Sequence, residues 1–160
     1  MTADPFAPGR PHFYPVYTHT QPGWVIIAGI FLGVMAMMAL NAYDFTILSL
    51  WPTLAILMAI LALFATLTVT LDDSQALVVF GVGLKMPAIE LANVAKAEIV
   101  KNSLTAGWGI RLLPGGIMYN VSGLQAVQLA MKDGYIYRIG TDDPQGLLRA
   151  IEMRLAGMPQ

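Results

Sequence analysis

From Trp24 to Ala65 the chain contains no Lys, Arg, Glu or His, and Asp44 is its single carboxylate. This run restricts the fold strongly, because a long uncharged segment must satisfy its backbone N–H and C=O groups internally, as a helix does. The first part, "WVIIAGIFLGVMAMMALNA" from Trp24 to Ala42, and the second, from about Phe45 to Ala65, each approach the roughly 30 Å of a bilayer's hydrocarbon core. Only "NAYD" separates them, so the helices are expected to be antiparallel neighbours. Pro52 falls near the second start, where a missing donor is tolerated, and Trp24, Tyr43 and Trp51 fall near the ends, where amphipathic rings favour an interface. Residues 24–65 read as a two-span transmembrane α-helical hairpin.

Composition agrees: 56% of residues are hydrophobic and 12% charged, against about a quarter charged in ordinary soluble domains. Arg10 is the only Lys or Arg before the runs and eight follow from Lys85 onward. Positive-inside counting then predicts a bacterial inner (cytoplasmic) membrane protein with both termini cytoplasmic. Gly29 with Gly33, and Ala55 with Ala59, are small-xxx-small steps that predict helix-packing faces, within the hairpin or against a partner's helix. An ionisable group in the middle of a run would mark a transport path, and there is none; an imidazole to hold a haem or chlorophyll metal is missing too. The absence of Cys excludes disulfides and thiolate sites, and a net charge of -1 argues against nucleic acid.

At Thr66 the pattern changes to "TLTVTL", whose period of two predicts a strand. Further short candidates follow between Gly, Pro, Asp and Asn: "ALVVF", "GLKM", "AIEL", "VAKAEIV", "WGIRLL", "GIMYNV", "AVQLAM" and "YIYRIG". "KDG", Lys132 to Gly134, is the clearest tight hairpin turn. "TDDPQGLLRAIEMRLAG" then predicts a helix, with Asp142 or Asp143 as cap, Pro144 in the first turn and Leu147, Leu148, Ile151 and Leu155 on one face. The expected organisation is an aromatic, Pro-rich tail over 1–23, the hairpin over 24–65 and a β domain over 66–157.

Strands in series followed by one helix, with "GWGIR" at Gly107 to Arg111, "YNVSG" at Tyr119 to Gly123 and "RIGTDDP" at Arg138 to Pro144, resemble the bacterial pleckstrin-homology-like domain family. The resemblance covers roughly half the chain. It implies an α+β or all-β domain, a short-stranded barrel or sandwich capped by a carboxy-terminal helix, and no assigned catalytic residues.

Catalytic constellations are missing from the sequence. "GVG" at Gly81 to Gly83 has Met86 in place of a third dinucleotide-binding glycine and reads as a turn. Ser122 follows Asn120 instead of the glycine of a nucleophile elbow, and the β domain has no His to activate it. Asp72 with Asp73 reads as a turn and Asp142 with Asp143 as a cap. His12 and His19 have no third ligand of matching spacing, so neither metal nor cofactor is expected. From Leu71 onward eight basic residues meet eight acidic ones, so lipid headgroup recognition would have to rest on a local cluster such as Lys96, Lys101 and Arg111.

Trp108, Arg111 and Tyr119 are the residue types that dominate protein interfaces and form a candidate docking face. In the tail, Phe6, Phe13, Tyr14 and Tyr17 interleave with prolines and offer contact area on an extended backbone. These features predict a noncatalytic accessory or assembly subunit of a larger bacterial membrane complex, respiratory or photosynthetic in kind, whose partners are other membrane-protein subunits and the lipid bilayer. The alternative is a membrane-anchored lipid- or peptide-binding module.

Overall fold

The computed structural model describes residues 16–41 and 47–157, with the side chains of 40, 41 and 47–50 outside the description. Strand β1 (Tyr17–Pro22) pairs antiparallel with β2 (Thr66–Leu71), from Tyr17 opposite Leu71 to Pro22 opposite Thr66. Helices α1 (Trp24–Asn41) and α2 (Ile47–Phe64) lie in the connection between these neighbouring strands. The end of the expected irregular tail is therefore part of a sheet, since backbone pairing needs only one proline-free edge of β1, and Pro22 is its last residue.

The transmembrane hairpin expected over 24–65 is corrected: among the described residues no helix is long and apolar enough to cross a membrane. α1 and α2 are 18 residues each, about 27 Å of helix against roughly 30 Å of hydrocarbon. With it goes the support for two spans in a bacterial inner membrane and for cytoplasmic termini. The fold class is instead β-rich, with two five-stranded sheets and three α-helices among the described residues.

The first sheet runs β1-β2-β3-β4, where β3 is Gln75–Phe80 and β4 is Leu84–Lys85; β5 (Ile89–Glu90) also pairs with β3. Asp72 makes its turn by accepting from the Ser74 and Gln75 amides at 2.7 and 2.6 Å. The second sheet is built from β6 (Val94–Lys101), β7 (Gly109–Leu113), β8 (Gly116–Asn120), β9 (Gln125–Met131) and β10 (Ile136–Gly140), in the order β6-β9-β10-β8-β7. β10 is parallel to β8 and antiparallel to β9, so the chain crosses from β8 to β9 and returns between them. Asp133 and Gly134 make that return: the Asp133 carboxylate accepts from the Tyr135 amide at 2.9 Å, and Gly134 has φ +87°.

Both sheets and α3 (Pro144–Gly157) share one core, in which Leu67, Val69, Val78, Phe80, Tyr119, Leu129, Ile139, Leu147 and Ile151 are buried. Each such side chain contributes about 1.5 to 3 kcal/mol by leaving water. α3 starts where Asp143 Oδ1 accepts from the Gly146 amide at 3.0 Å, an N-cap followed by proline.

The helical pair is rooted in the same core. The Gly23 amide donates to the Ala65 carbonyl at 2.7 Å, and a Cβ on Gly23 would stand 2.7 Å from the Phe64 carbonyl oxygen. The Val82 amide donates to the Ala62 carbonyl at 3.0 Å, so the turn after β3 caps the end of α2, and Gly81 within it has φ +45°. Phe64 packs edge-on against Phe80, with ring centroids 5.5 Å apart.

Candidate functional site

Beyond this root, α1 and α2 expose what the β domain buries. Phe31 is 64% exposed, Leu32 66%, Trp51 66% and Ile56 61%, and Met35, Met38 and Met58 are exposed as well. The helices touch each other, and the half-buried positions Ile26, Ile30, Val34 and Met37 in α1, with Leu54, Leu57 and Leu61 in α2, follow a helical stripe. Gly29, Gly33, Ala55 and Ala59 lie off that stripe and are exposed; nothing stands within 4 Å of a Cβ built on either glycine. The structure does not bring the small-residue steps together. They belong to the outer surface, where they flatten the ground between the large side chains.

Phe6, Phe13 and Tyr14 lie outside the described residues. Tyr17 is half-buried in β1 and donates to Asp143 Oδ2 at 3.3 Å, so it ties the first strand to the cap of α3. Burial and then the Asp143 charge hold its phenol above the ordinary range. His19, on the same strand as Tyr17, meets Asp142 ahead of α3 at 2.5 Å.

The residues of the expected docking face separate. Tyr119 is buried, its ring 6.1 Å from Phe80, and burial pushes its hydroxyl up to about 12; it offers no surface. Trp108 is half-buried with its indole N–H unpartnered, and Arg111 is exposed, its Nε donating to the Trp108 carbonyl at 3.0 Å. Arg111 stands on β7 and Lys96 and Lys101 on β6, the two opposite edges of the second sheet, about 19 Å apart at four strand spacings. Lys96 is further engaged by Glu98 at 2.6 Å. No basic cluster forms from these three.

A cleft that sequence reasoning passed over opens between β5 and the β9–β10 hairpin. It has a volume of about 520 Å³ and is lined by Ala88, Ile89, Glu90, Asn93, Met131, Lys132, Asp133, Tyr135 and Tyr137. The hairpin turn puts Lys132 and Asp133 at its rim, while Tyr135 and Tyr137, two apart, project to one side of the strand. Their rings lie 5.0 Å apart at 59°. Burial, then Tyr135 and Asp133, raise the Tyr137 phenol, which stays protonated at neutral pH. The legible signal was "KDGYIY", an aromatic pair at strand spacing beside a charged turn. Among the described residues no group of three His, Cys, Asp or Glu could hold a metal ion.

The architecture defines a two-sheet β domain carrying an inserted, apolar helical pair. Comparison with protein-family models, with curated proteins and with solved structures gives no match, and nothing in it identifies a pleckstrin-homology-like family.

Proposed function

We propose that the protein is a noncatalytic accessory or assembly subunit of a larger protein complex, docking through the outer surface of α1 and α2. One observation carries this reading: two helices that are apolar on every side hold most of the exposed large apolar side chains among the described residues, while Val82, Leu104, Leu112 and Met153 are exposed at scattered places elsewhere. A helix hydrophobic all round is ordinarily a buried helix, and a large exposed apolar patch marks an interaction site. The described surface of the pair has no charge, so its partner is an apolar protein surface recognised by shape and not by ion pairs. Trp51, Phe31 and Ile56 are the anchors such an interface would use, and the small residues between them allow close approach.

The test is the size of the native assembly. Full-length tagged protein, gently extracted from the cells that make it, is expected in a stoichiometric complex that dissociates when Phe31 and Ile56 are both replaced by Gln. A native chain that runs alone, or a complex indifferent to both replacements, would overturn the proposal.

A further inference from the structure

The cleft beside the β9–β10 hairpin stands apart from the helical pair, and its lining has a definite chemical character. Its floor is apolar, from Ile89 and Met131, and one wall is the pair of tilted tyrosine rings. Glu90 and Asp133 bring two negative charges and Lys132 one positive, a net of -1. Glu90 Oε2 accepts from Asn93 Nδ2 at 2.9 Å, and Asp133 Oδ1 from the Tyr135 amide at 2.9 Å. Among the described residues neither carboxylate is ion-paired, and Lys132 pairs with neither.

We propose that this cleft binds an organic ammonium cation, its alkyl groups against Tyr135 and Tyr137 and its charge toward Glu90 and Asp133. Aromatic faces attract a cation whose charge is spread over a greasy shell, and nearby carboxylates complete the attraction. An inorganic anion meets the net negative lining, a hard metal ion lacks three converging ligands, and a neutral apolar ligand leaves both carboxylates unused. Lys132 at the rim repels a second positive charge, so a monocation is favoured over a polyamine. The ammonium group belongs to a free quaternary amine or to a lysine side chain.

Titration of the full chain, followed by the tyrosine signals in NMR spectra at ionic strength matched with NaCl, tests this. The probes are tetramethylammonium, choline, an N-acetyl-lysine amide and inorganic phosphate. Saturable binding of an ammonium probe is expected, weakened about tenfold in Tyr135→Leu and in the double variant Glu90→Gln/Asp133→Asn. The two amide replacements keep an oxygen for Asn93 and for the Tyr135 amide, so the double variant reports on charge even if Tyr135→Leu fails to fold. Tighter binding of the quaternary probes identifies a free amine, and tighter binding of the lysine amide a polypeptide side chain. No saturable ammonium binding, or phosphate binding lost in Lys132→Gln, overturns the proposal. The outcome is independent of the docking test, because no cleft residue lies on α1 or α2.

Discussion

The β domain and the helical pair draw on the same side chains and use them oppositely. In β2 and β3, inward Leu67, Val69, Leu71, Val78 and Phe80 are buried while their alternating neighbours are half exposed. In α1 and α2 apolar side chains face outward as well as toward each other, so one face is satisfied by the fold and the other is not. The difference teaches that apolar content alone does not say whether a segment stabilises its own chain or waits for another. The domain has a core of its own, and the pair is rooted in it at Gly23, Phe64 and Gly81.

The largest expected effect sharpens that contrast. Phe80→Ala should destabilise by about 3 to 5 kcal/mol, because it removes a fully buried ring that joins Phe64 to Tyr119, whereas Phe31→Ala should change stability by less than about 0.5 kcal/mol. Denaturant unfolding measures both, and equal costs at the two sites would break the distinction between core and outer surface. Next comes the reverse asymmetry: Trp51→Ala should weaken partner binding by about 2 kcal/mol or more with an unchanged denaturation midpoint. A shifted midpoint would place Trp51 in the protein's own packing.

Asn120 tests whether the β domain's polar interior is as finished as its apolar one. Its Nδ2 donates to the Gly123 carbonyl and its Oδ1 accepts from the Ser122 amide, both at 3.3 Å, so Asn120→Ala should cost about 1 to 2 kcal/mol. A neutral result by thermal unfolding would show those groups already wet.

The smallest effect is alkaline. The unfolded Tyr119 hydroxyl ionises near about pH 10, and burial raises the folded group to about 12. The folded state therefore holds that proton more tightly, so this contribution is fully present below about pH 10 and is lost as pH rises toward 12. Tyr17, also raised, adds in the same direction, while the helical pair's described residues carry no group that titrates there. Tyr119→Phe should flatten the fall in stability across that window; an unchanged slope would assign alkaline unfolding elsewhere.

Much of the secondary structure was legible because it is written in short-range periodicity. "TLTVTL" coincides with β2, "KDG" turns between β9 and β10, and Asp143–Pro144 opens α3. The destination of the two apolar runs was misread, since helix is a local outcome while crossing a bilayer depends on length and surroundings. Tyr17 looked like loose contact area because Pro11 and Pro15 precede it closely, yet its backbone pairs with Leu71 in a strand far along the chain. Tyr119 looked like docking surface because a strand's period names two faces without saying which one meets the core. The cleft left only the faint trace of two tyrosines at strand spacing.

By itself, the sequence determined that two apolar runs without Lys, Arg, Glu or His form helices, that short strands follow from Thr66, and that a capped helix comes after them. Those are properties of neighbouring residues and of which side chains avoid water. Only the tertiary structure decided that β1 joins β2 across the inserted helices, that β10 slides in parallel to β8, and that Glu90 comes to face Tyr135 and Tyr137. Long-range pairing is chosen by the whole set of surfaces that can be buried together, a global minimum that no single stretch of the chain contains.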